Sequence, residues 1–136
     1  MTHLSIRFAL ALAATAVLAG GCTSRDEKAA NAAAIAAGAL QAGNIPVARV
    51  QIQQALALRD DNSDYWLLMA QIAIAGRDFG SAFDAYQNVI TLDRGNVEAL
   101  TRLCQIALSG NGAVRAEPYA DQLALLRPND TLPKTV

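Results

Sequence analysis

Few side chains of this protein are suited to chemistry. The cysteines are Cys22 and Cys104, and the only histidine is His3. Because His3 precedes an apolar leader that we expect to be removed, no histidine-dependent triad or zinc site is expected in the mature chain. Cys104 has no histidine or carboxylate at a spacing that suggests a metal site, so the sequence predicts no metal and no cofactor.

The acidic pairs and the glycine pairs are the remaining candidates for chemistry. Residues 26–27 and 60–61 are acidic neighbours, which favours solvated turn charges over general acid–base roles. Residues 76–80 (GRDFG) contain two glycines but lack a phosphate-binding lysine and a preceding strand. These residues, like residues 43–44 and 110–112, indicate turns between helices in which glycine supplies the bend. We therefore expect a protein that is not an enzyme.

The N-terminal residues have the organisation of an export signal. Arg7 supplies a positive charge, residues 8–19 (FALALAATAVLA) are apolar, and two glycines and Cys22 follow. These are the parts of a secretory signal peptide. The apolar run is shorter than the ~20 residues that span a membrane as a helix. We predict a signal peptide over residues 1–21 and a tether over residues 22–28.

Residues 18–22 (LAGGC) resemble a bacterial lipobox, in which cleavage occurs before the cysteine and the thiol receives a lipid such as palmitate. The sequence departs mildly from the commonest pattern, because Leu18 lies one position early and Ala19 takes its place. The resemblance implies lipidation of Cys22. Thr23, where an aspartate would favour the inner membrane, implies a lipid anchor in the outer membrane facing the periplasm. An ordinary signal peptide with an incidental Cys22 is the alternative.

Composition limits the classes of partner. The chain has 136 residues, 53% of them hydrophobic and only 5% aromatic, which indicates a thin core built from small aliphatic side chains. The formal net charge is −1 and there is no basic block. A nucleic-acid binder normally shows a clustered basic surface, so nucleic acid is not an expected partner.

A repeat of about 34 residues organises the rest of the chain. Its clearest unit, residues 63–96, carries Trp66, Met69, Ala82 and Tyr86 at spacings that resemble the tetratricopeptide-repeat (TPR) pattern. The register recurs one repeat earlier and one repeat later. The small site of the first helix is Ala36, Ala70 and Cys104, that of the second helix is Ala48, Ala82 and Ala116, and the terminal position is Asp60, Arg94 and Pro128.

This register predicts an all-α fold, a TPR-like superhelical stack of three antiparallel helix hairpins. The units span residues 29–62, 63–96 and 97–130, and residues 131–136 form a tail. Helices are expected at residues 28–41, 46–59, 64–76, 79–92, 97–109 and 114–127. Pro118 is expected to delay the start of the sixth helix to residues 115–117, or to kink it.

Large side chains should fill the spaces between the hairpins. Trp66, Phe79 and Tyr86 are the candidates, although a lone tryptophan such as Trp66 could instead be a ligand platform. No capping helix follows the third hairpin, so Leu123 and Leu126 are expected to be partly uncovered. We predict that a partner or a second copy covers this edge, which would allow self-association through the uncapped C-terminal hairpin.

The resemblance also implies that the first helix of each hairpin lines a concave groove for a protein or peptide ligand. Transferred position by position, the partner-binding residues are Asp64, Leu67, Gln71 and Ile74 in the second unit and Glu98, Thr101, Gln105 and Leu108 in the third. The first unit offers mainly Ala33, Ala37, Leu40 and Gln41. The set of Lys and Arg residues expected for clamping a terminal carboxylate is missing. For any single residue, a solvated face without a ligand is the alternative.

The whole chain resembles bacterial envelope lipoproteins with TPR repeats, a group that includes pilus-assembly lipoproteins of the Flp/Tad type. The resemblance implies a membrane-anchored scaffold or adaptor that mediates protein–protein interaction in envelope complex assembly, such as that of a pilus or a secretion system. A soluble periplasmic adaptor that regulates an envelope enzyme is one alternative. An enzyme or small-molecule binder is another, but it would need a convergent polar pocket that the sequence does not offer.

Overall fold

The computed structural model describes residues 24–110 and 113–126, which contain six helices and no strand. The predicted signal peptide, Cys22 and the predicted tail lie outside the described residues. The helices are α1 (Arg25–Gln41), α2 (Ile45–Leu58), α3 (Ser63–Ala75), α4 (Phe79–Leu92), α5 (Val97–Ser109) and α6 (Ala113–Leu126). Every boundary lies within three residues of its expected position, and the predicted all-α fold is confirmed.

The first helix begins earlier than expected. The Ser24 Oγ accepts the backbone N–H of Glu27 at 3.1 Å. Serine followed three residues later by glutamate is a capping-box sequence. The negative charges of Asp26 and Glu27 in the first turn interact favourably with the positive N-terminal end of the helix dipole. Residues 25–28, which we expected in the tether, therefore belong to α1.

The helix caps follow the register of the repeat. The side chains that accept a first-turn N–H are Ser24, Asn44, Asn62, Asp78 and Asn96. The caps of α2 and α4 are one repeat apart, and so are those of α3 and α5. Loss of such a cap typically costs ~1 kcal/mol, so each cap fixes a helix start within its hairpin.

The two helices of each hairpin approach through small side chains. Ala36 and Ala48 of the first hairpin and Ala70 and Ala82 of the second are fully buried, and Ala116 of the third is buried. Cys104, at the same register position as Ala36 and Ala70, is half-buried, and its Sγ lies 3.8 Å from the carbonyl oxygen of Ala116. The predicted small sites are therefore confirmed.

Large side chains pack between the hairpins in two clusters. The first joins Ile52 and Leu56 of α2 to Ile72 of α3. The second joins Tyr86 of α4 to Leu103 of α5, together with their buried neighbours. These clusters hold the three hairpins in one stack, because no hairpin can bury its apolar faces alone.

Trp66 packs against both clusters, as a packing residue should. Its indole Nε1 donates a hydrogen bond of 2.7 Å to the carbonyl oxygen of Asp60, which satisfies the polar end of the ring. The expectation for Phe79 was wrong. It is the first residue of α4 and 54% exposed, whereas Phe83, one turn later, is buried between the helices.

The turns inside the first and second hairpins each contain a left-handed residue after the first helix. Gly43 (φ 73°) and Arg77 (φ 57°) occupy this position in the first and second hairpins. After the second hairpin's first helix, the N–H of Asp78 donates to the carbonyl of Ala73 at 2.9 Å, and the N–H of Arg77 donates to that of Ile74 at 3.0 Å. This pair of bonds is a Schellman motif. The left-handed residue of this motif is Arg77. The preceding Gly76 has an ordinary negative φ of −81°.

The sixth helix does not begin late. It begins at Ala113, and Pro118 lies inside it as the sixth residue. Proline lacks the amide that would bond one turn back, so the helix continues with one backbone bond fewer. Among the described helices, none is long and apolar enough to cross a membrane.

Candidate functional site

The first helices of the three hairpins share one side of the stack. Helix α1 contacts α3. Between α3 and α5, the Gln71 Nε2 donates to the Glu98 Oε1 at 3.4 Å. We call the surface formed by the outward residues of these three helices the first-helix face. All eight predicted partner-binding residues belong to α3 or α5, at spacings of three and four residues that place each set on one stripe of its helix.

The face combines apolar and hydrogen-bonding groups. Four of the eight predicted side chains are exposed and four are half-buried. The exposed ones are Asp64, Glu98, Gln105 and Leu108, and the half-buried ones are Leu67, Gln71, Ile74 and Thr101. Leu108 is 59% exposed, so it offers apolar area to a ligand. Leu67 and Ile74 also pack against the core between the second and third hairpins.

The polar members differ in what they can offer a ligand. Thr101 donates its hydroxyl to the carbonyl oxygen of Val97 in its own helix at 2.7 Å, so its hydrogen is already used. Gln71 and Glu98 are brought together across two hairpins, and their remaining lone pairs and the second Gln71 amide hydrogen stay available. Gln71 and Gln105 are one repeat apart and therefore occupy the same height on neighbouring first helices.

Arg102 was not among the site residues predicted from the sequence. Its Nη1 donates to the Gln105 Oε1 at 3.2 Å, which orients that amide. Burial raises the pKa of Tyr86, and the nearby positive charge of Arg102 opposes this increase. The signal was present, because Arg102 lies three residues before Gln105 and one helical turn after Glu98. One cation therefore borders a face that otherwise carries the carboxylates of Asp64 and Glu98.

The part of the face contributed by the first hairpin is shallow. Ala33 is buried, Ala37 and Leu40 are half-buried, and Gln41 is exposed. The short alanine side chains offer a ligand little contact area here. The second and third hairpins therefore supply most of the possible contacts.

Two clefts lie away from the eight predicted residues. One, of about 430 Å³, lies between α4, α5 and the first turns of α6, where the Arg115 Cζ is 4.7 Å from the centre of the Phe83 ring. The other, of about 460 Å³, is lined by Ile90, Thr91, Arg94 and Gln122. Within residues 24–110 and 113–126, no group of three or more histidine, cysteine and acidic side chains is placed to hold a metal.

Comparison with known proteins identifies the architecture. The sequence matches no family model, and no curated protein matches it. Solved structures do match. The crystal structure of MamA superimposes with a TM-score of 0.71 at 14% identity, covering 77% of this chain and 61% of that chain. The chain has a tetratricopeptide-repeat fold.

Two further TPR structures support this assignment. The Arabidopsis OM64 TPR domain has a TM-score of 0.68 at 17% identity, over 79% of this chain and 89% of that one. The first TPR domain of Spaghetti (RPAP3), bound to the HSP90 peptide SRMEEVD, has a TM-score of 0.65 at 15% identity, over 78% and 86%. The chain spans about three fifths of the length of the MamA chain. These superpositions establish the fold, within which α1, α3 and α5 are the first helices of the three repeats.

Proposed function

We propose that the protein is a non-enzymatic adaptor whose first-helix face binds a segment of another protein. The observation that carries this proposal is the accessible stripe on α3 and α5, in which exposed Leu108 adjoins amide and carboxylate groups. Apolar anchors combined with oriented polar groups are what a peptide or a partner helix requires. The RPAP3 domain, which has the same fold, was solved with a bound peptide, which supports this use of the architecture.

The spacing of the polar groups favours an elongated ligand. Gln71 and Gln105 occupy equivalent positions on two neighbouring helices, and Glu98, two turns before Gln105 in α5, contacts Gln71. A ligand that crosses α3 and α5 would therefore meet one amide from each repeat. Because Arg102 orients Gln105, that amide loses little rotational freedom when it binds.

We further propose that the adaptor is held at the bacterial cell envelope by a lipid on Cys22, in the outer membrane facing the periplasm, and that it serves in assembly of a pilus or a secretion complex. The lipobox-like residues 18–22 and the resemblance to Flp/Tad-type lipoproteins support this proposal. Several acyl chains anchor a protein firmly, since each buried CH₂ contributes about 0.8 kcal/mol. A soluble periplasmic adaptor that regulates an envelope enzyme is the second candidate.

Metabolic labelling separates the two locations. Cells that produce the wild-type chain or Cys22→Ser would be given an alkyne analogue of palmitate. The anchor predicts label and membrane association for the wild type and loss of both for Cys22→Ser, with Cys104→Ser as the matched control that keeps both. Unchanged soluble secretion of wild type and variant alike would reject the anchor.

A pull-down from solubilised membranes tests the first-helix face. We expect Gln71→Ala and Gln105→Ala each to reduce partner recovery several-fold, because each leaves a partner group without its hydrogen bond. Gln54→Ala, the same change at an exposed position of α2, should recover partners like the wild type. Equal recovery with all three variants would reject the assignment of the face.

A further inference from the structure

The second helices have interface positions whose environment changes at the C-terminal end of the stack. Ile52 of α2 and Tyr86 of α4 occupy one register position and are both buried against the following hairpin. The equivalent residue of α6 is Ala120, which is exposed. Three residues later, Ala55 and Val89 are fully buried, whereas Leu123 of α6 is only half-buried. Helix α6 thus presents an interface surface that no described hairpin covers.

The first helices show the converse at the N-terminal end. Met69 of α3 and Leu103 of α5 pack against the preceding hairpin, and their counterpart in α1 is Ile35, which is 45% exposed. Ile72 of α3 is fully buried, and its counterpart is Gly38, where an added Cβ would meet no atom within 4 Å. Helix α1 thus presents an interface surface that no described hairpin covers.

Both end surfaces are apolar, unlike the polar outer surface of a capping repeat. We call the surface of Ala120, Leu123 and Ala124 the C-terminal end, and that of Ala34, Ile35 and Gly38 the N-terminal end. Each has one branched aliphatic side chain flanked by alanine or glycine. Leu123 can fill the space over Ala34 and Gly38, and Ile35 can fill the space over Ala120 and Ala124, which is how helices interlock.

We propose that the C-terminal end of one copy binds the N-terminal end of a second copy and continues the stack from chain to chain. The contact repeats the hairpin-to-hairpin interface that already joins α2 to α3 and α4 to α5 within one chain. Such a head-to-tail contact is heterologous, so it generates open chains of molecules and not a closed dimer.

The polar residues at the rim are compatible with this junction. Within the chain, the Arg49 Nη1 donates to the Asp78 Oδ2 of the next hairpin at 3.0 Å, while the Asp78 Oδ1 caps α4. The register places Glu117 of α6 opposite Asn44 of the second copy. Asn44 caps α2 with its Oδ1 and keeps its amide N–H groups for that carboxylate.

A second rim pair follows the same logic. The Gln87 Nε2 of α4 donates to the Tyr119 Oη of α6 at 2.8 Å. At the junction the equivalent pair is Asp121 of one copy and Gln51 of the next. A carboxylate again meets an amide donor, and both pairs join an acceptor to a donor without bringing like charges together.

The exposure of Leu126 does not itself signal a missing neighbour. Leu126 is 44% exposed, but Leu92, at the same position of α4 and followed by a complete hairpin, is 45% exposed. Leu123 is the residue that is less buried than its counterparts, because Ala55 and Val89 are fully buried and Leu123 is half-buried. The surface for self-association is therefore centred on Leu123.

Light scattering on two variants of the full chain tests this proposal. Both would carry Cys22→Ser, to exclude association through a lipid, and would be measured in a mild detergent that separates the apolar leaders. A single hairpin surface on each side is a small interface, so we expect weak association that is detected only at high protein concentration. The unaltered surfaces should give a mass that increases with concentration.

Ile35→Glu blocks the N-terminal end and Leu123→Glu blocks the C-terminal end, so each variant alone should remain monomeric. An equimolar mixture should form a dimer and nothing larger, because one intact surface of each kind remains. Leu125→Glu, at an 82% exposed position outside the interface, should associate like the parent chain.

Three results would overturn the proposal. A monomeric parent chain at all concentrations would mean that another protein, or residues 127–136 of the same chain, covers the C-terminal end. A mixture that stays monomeric would mean that the intact C-terminal end of one variant does not bind the intact N-terminal end of the other. Loss of association in Leu125→Glu would mean that general stickiness, and not the interlocking surface, holds the copies together.

Discussion

Arg77 occupies a backbone conformation that glycine adopts more readily. Its φ of 57° places it in the left-handed region, where the equivalent residue of the first hairpin is Gly43. The side chain of Arg77 is exposed and, among the described residues, forms no hydrogen bond or ion pair. Replacement of Arg77 by glycine should therefore stabilise the second hairpin without the loss of a side-chain contact.

The expected gain follows from two opposing contributions. A residue with a Cβ in the left-handed conformation costs about 1–2 kcal/mol. Glycine loses about 0.5–1 kcal/mol more conformational entropy on folding than other residues do. Arg77→Gly should thus raise the free energy of unfolding by about 0.5–1 kcal/mol. With a urea m-value of about 2 kcal/mol/M, the midpoint should shift by about 0.3–0.5 M to higher urea.

Urea unfolding followed by circular dichroism at 222 nm measures this shift. Arg77→Ala is the matched control, because it removes the same side chain but keeps the Cβ, and it should unfold near the wild-type midpoint. The reciprocal change, Gly43→Ala, should cost about 0.5–1 kcal/mol by the same two opposing contributions. No atom lies within 4 Å of the Cβ it adds, so this cost comes from the backbone alone. Equal midpoints for Arg77→Gly and Arg77→Ala would refute the reasoning.

Three further changes test other parts of the stack. Asp78→Ala should lower the free energy of unfolding by about 1–2 kcal/mol, because Asp78 caps α4 and pairs with Arg49, whereas exposed Asp84→Ala should change it little. Hydrogen bonds from Ser81 and then Arg49 lower the pKa of Asp78, so its contribution should be lost as the pH falls below about 4. Tyr86→Phe should abolish a loss of stability above about pH 10, since burial raises the pKa of Tyr86 in the folded state. Pro118→Ala should stabilise α6 by up to about 3 kcal/mol by restoring one helical hydrogen bond.

The outcomes that contradict these expectations are distinct. Equal decreases in the free energy of unfolding for Asp78→Ala and Asp84→Ala would mean that the Asp78 cap does not stabilise α4. An alkaline unfolding profile of Tyr86→Phe identical to that of the wild type would mean that other groups dominate above pH 10. A Pro118→Ala variant that unfolds at lower urea would show that the proline is adapted to its place in α6.

Periodicity predicted most of the fold because it reports burial directly. Ala36 recurs as Ala70 and Ala48 recurs as Ala82, one repeat later in each case, since only small side chains fit between paired helices. All four alanines are fully buried. The errors came from contacts that period alone does not encode. Phe79 has the right residue type but lies in the first position of α4, where it is 54% exposed.

Local hydrogen bonding explains the remaining differences. The pair Ser24 and Glu27 extends α1 to Arg25, although the alanine-rich sequence that follows gives no periodic sign of a start. At the first hairpin turn the left-handed residue is Gly43, but at the second it is Arg77. The sequence suggests Gly76 for this position, because glycine adopts positive φ more readily than arginine.

The repeat register predicted which helices carry the candidate site, but not the contacts between its side chains, and the binding role of its residues stays a prediction. The repeat register located the stripe from Asp64 to Leu108, since equivalent residues of a repeat occupy equivalent places. It could not reveal that Gln71 meets Glu98 or that Arg102 orients Gln105, because those contacts depend on side-chain conformations between neighbouring helices. The identity of the partner depends on its own sequence, which this chain does not contain.

If Cys22 carries the proposed lipid, the early start of α1 would restrict how far the helical stack could reach from the membrane. Only Thr23 and Ser24 separate Cys22 from the first residue of the helix, and two extended residues span at most about 7 Å. A lipid on Cys22 would thus keep the N-terminus of α1 close to the bilayer surface. The helical stack could then change its orientation but could not move far into the periplasm. Its partners would be limited to proteins that are themselves in the membrane or within one stack length of the bilayer surface.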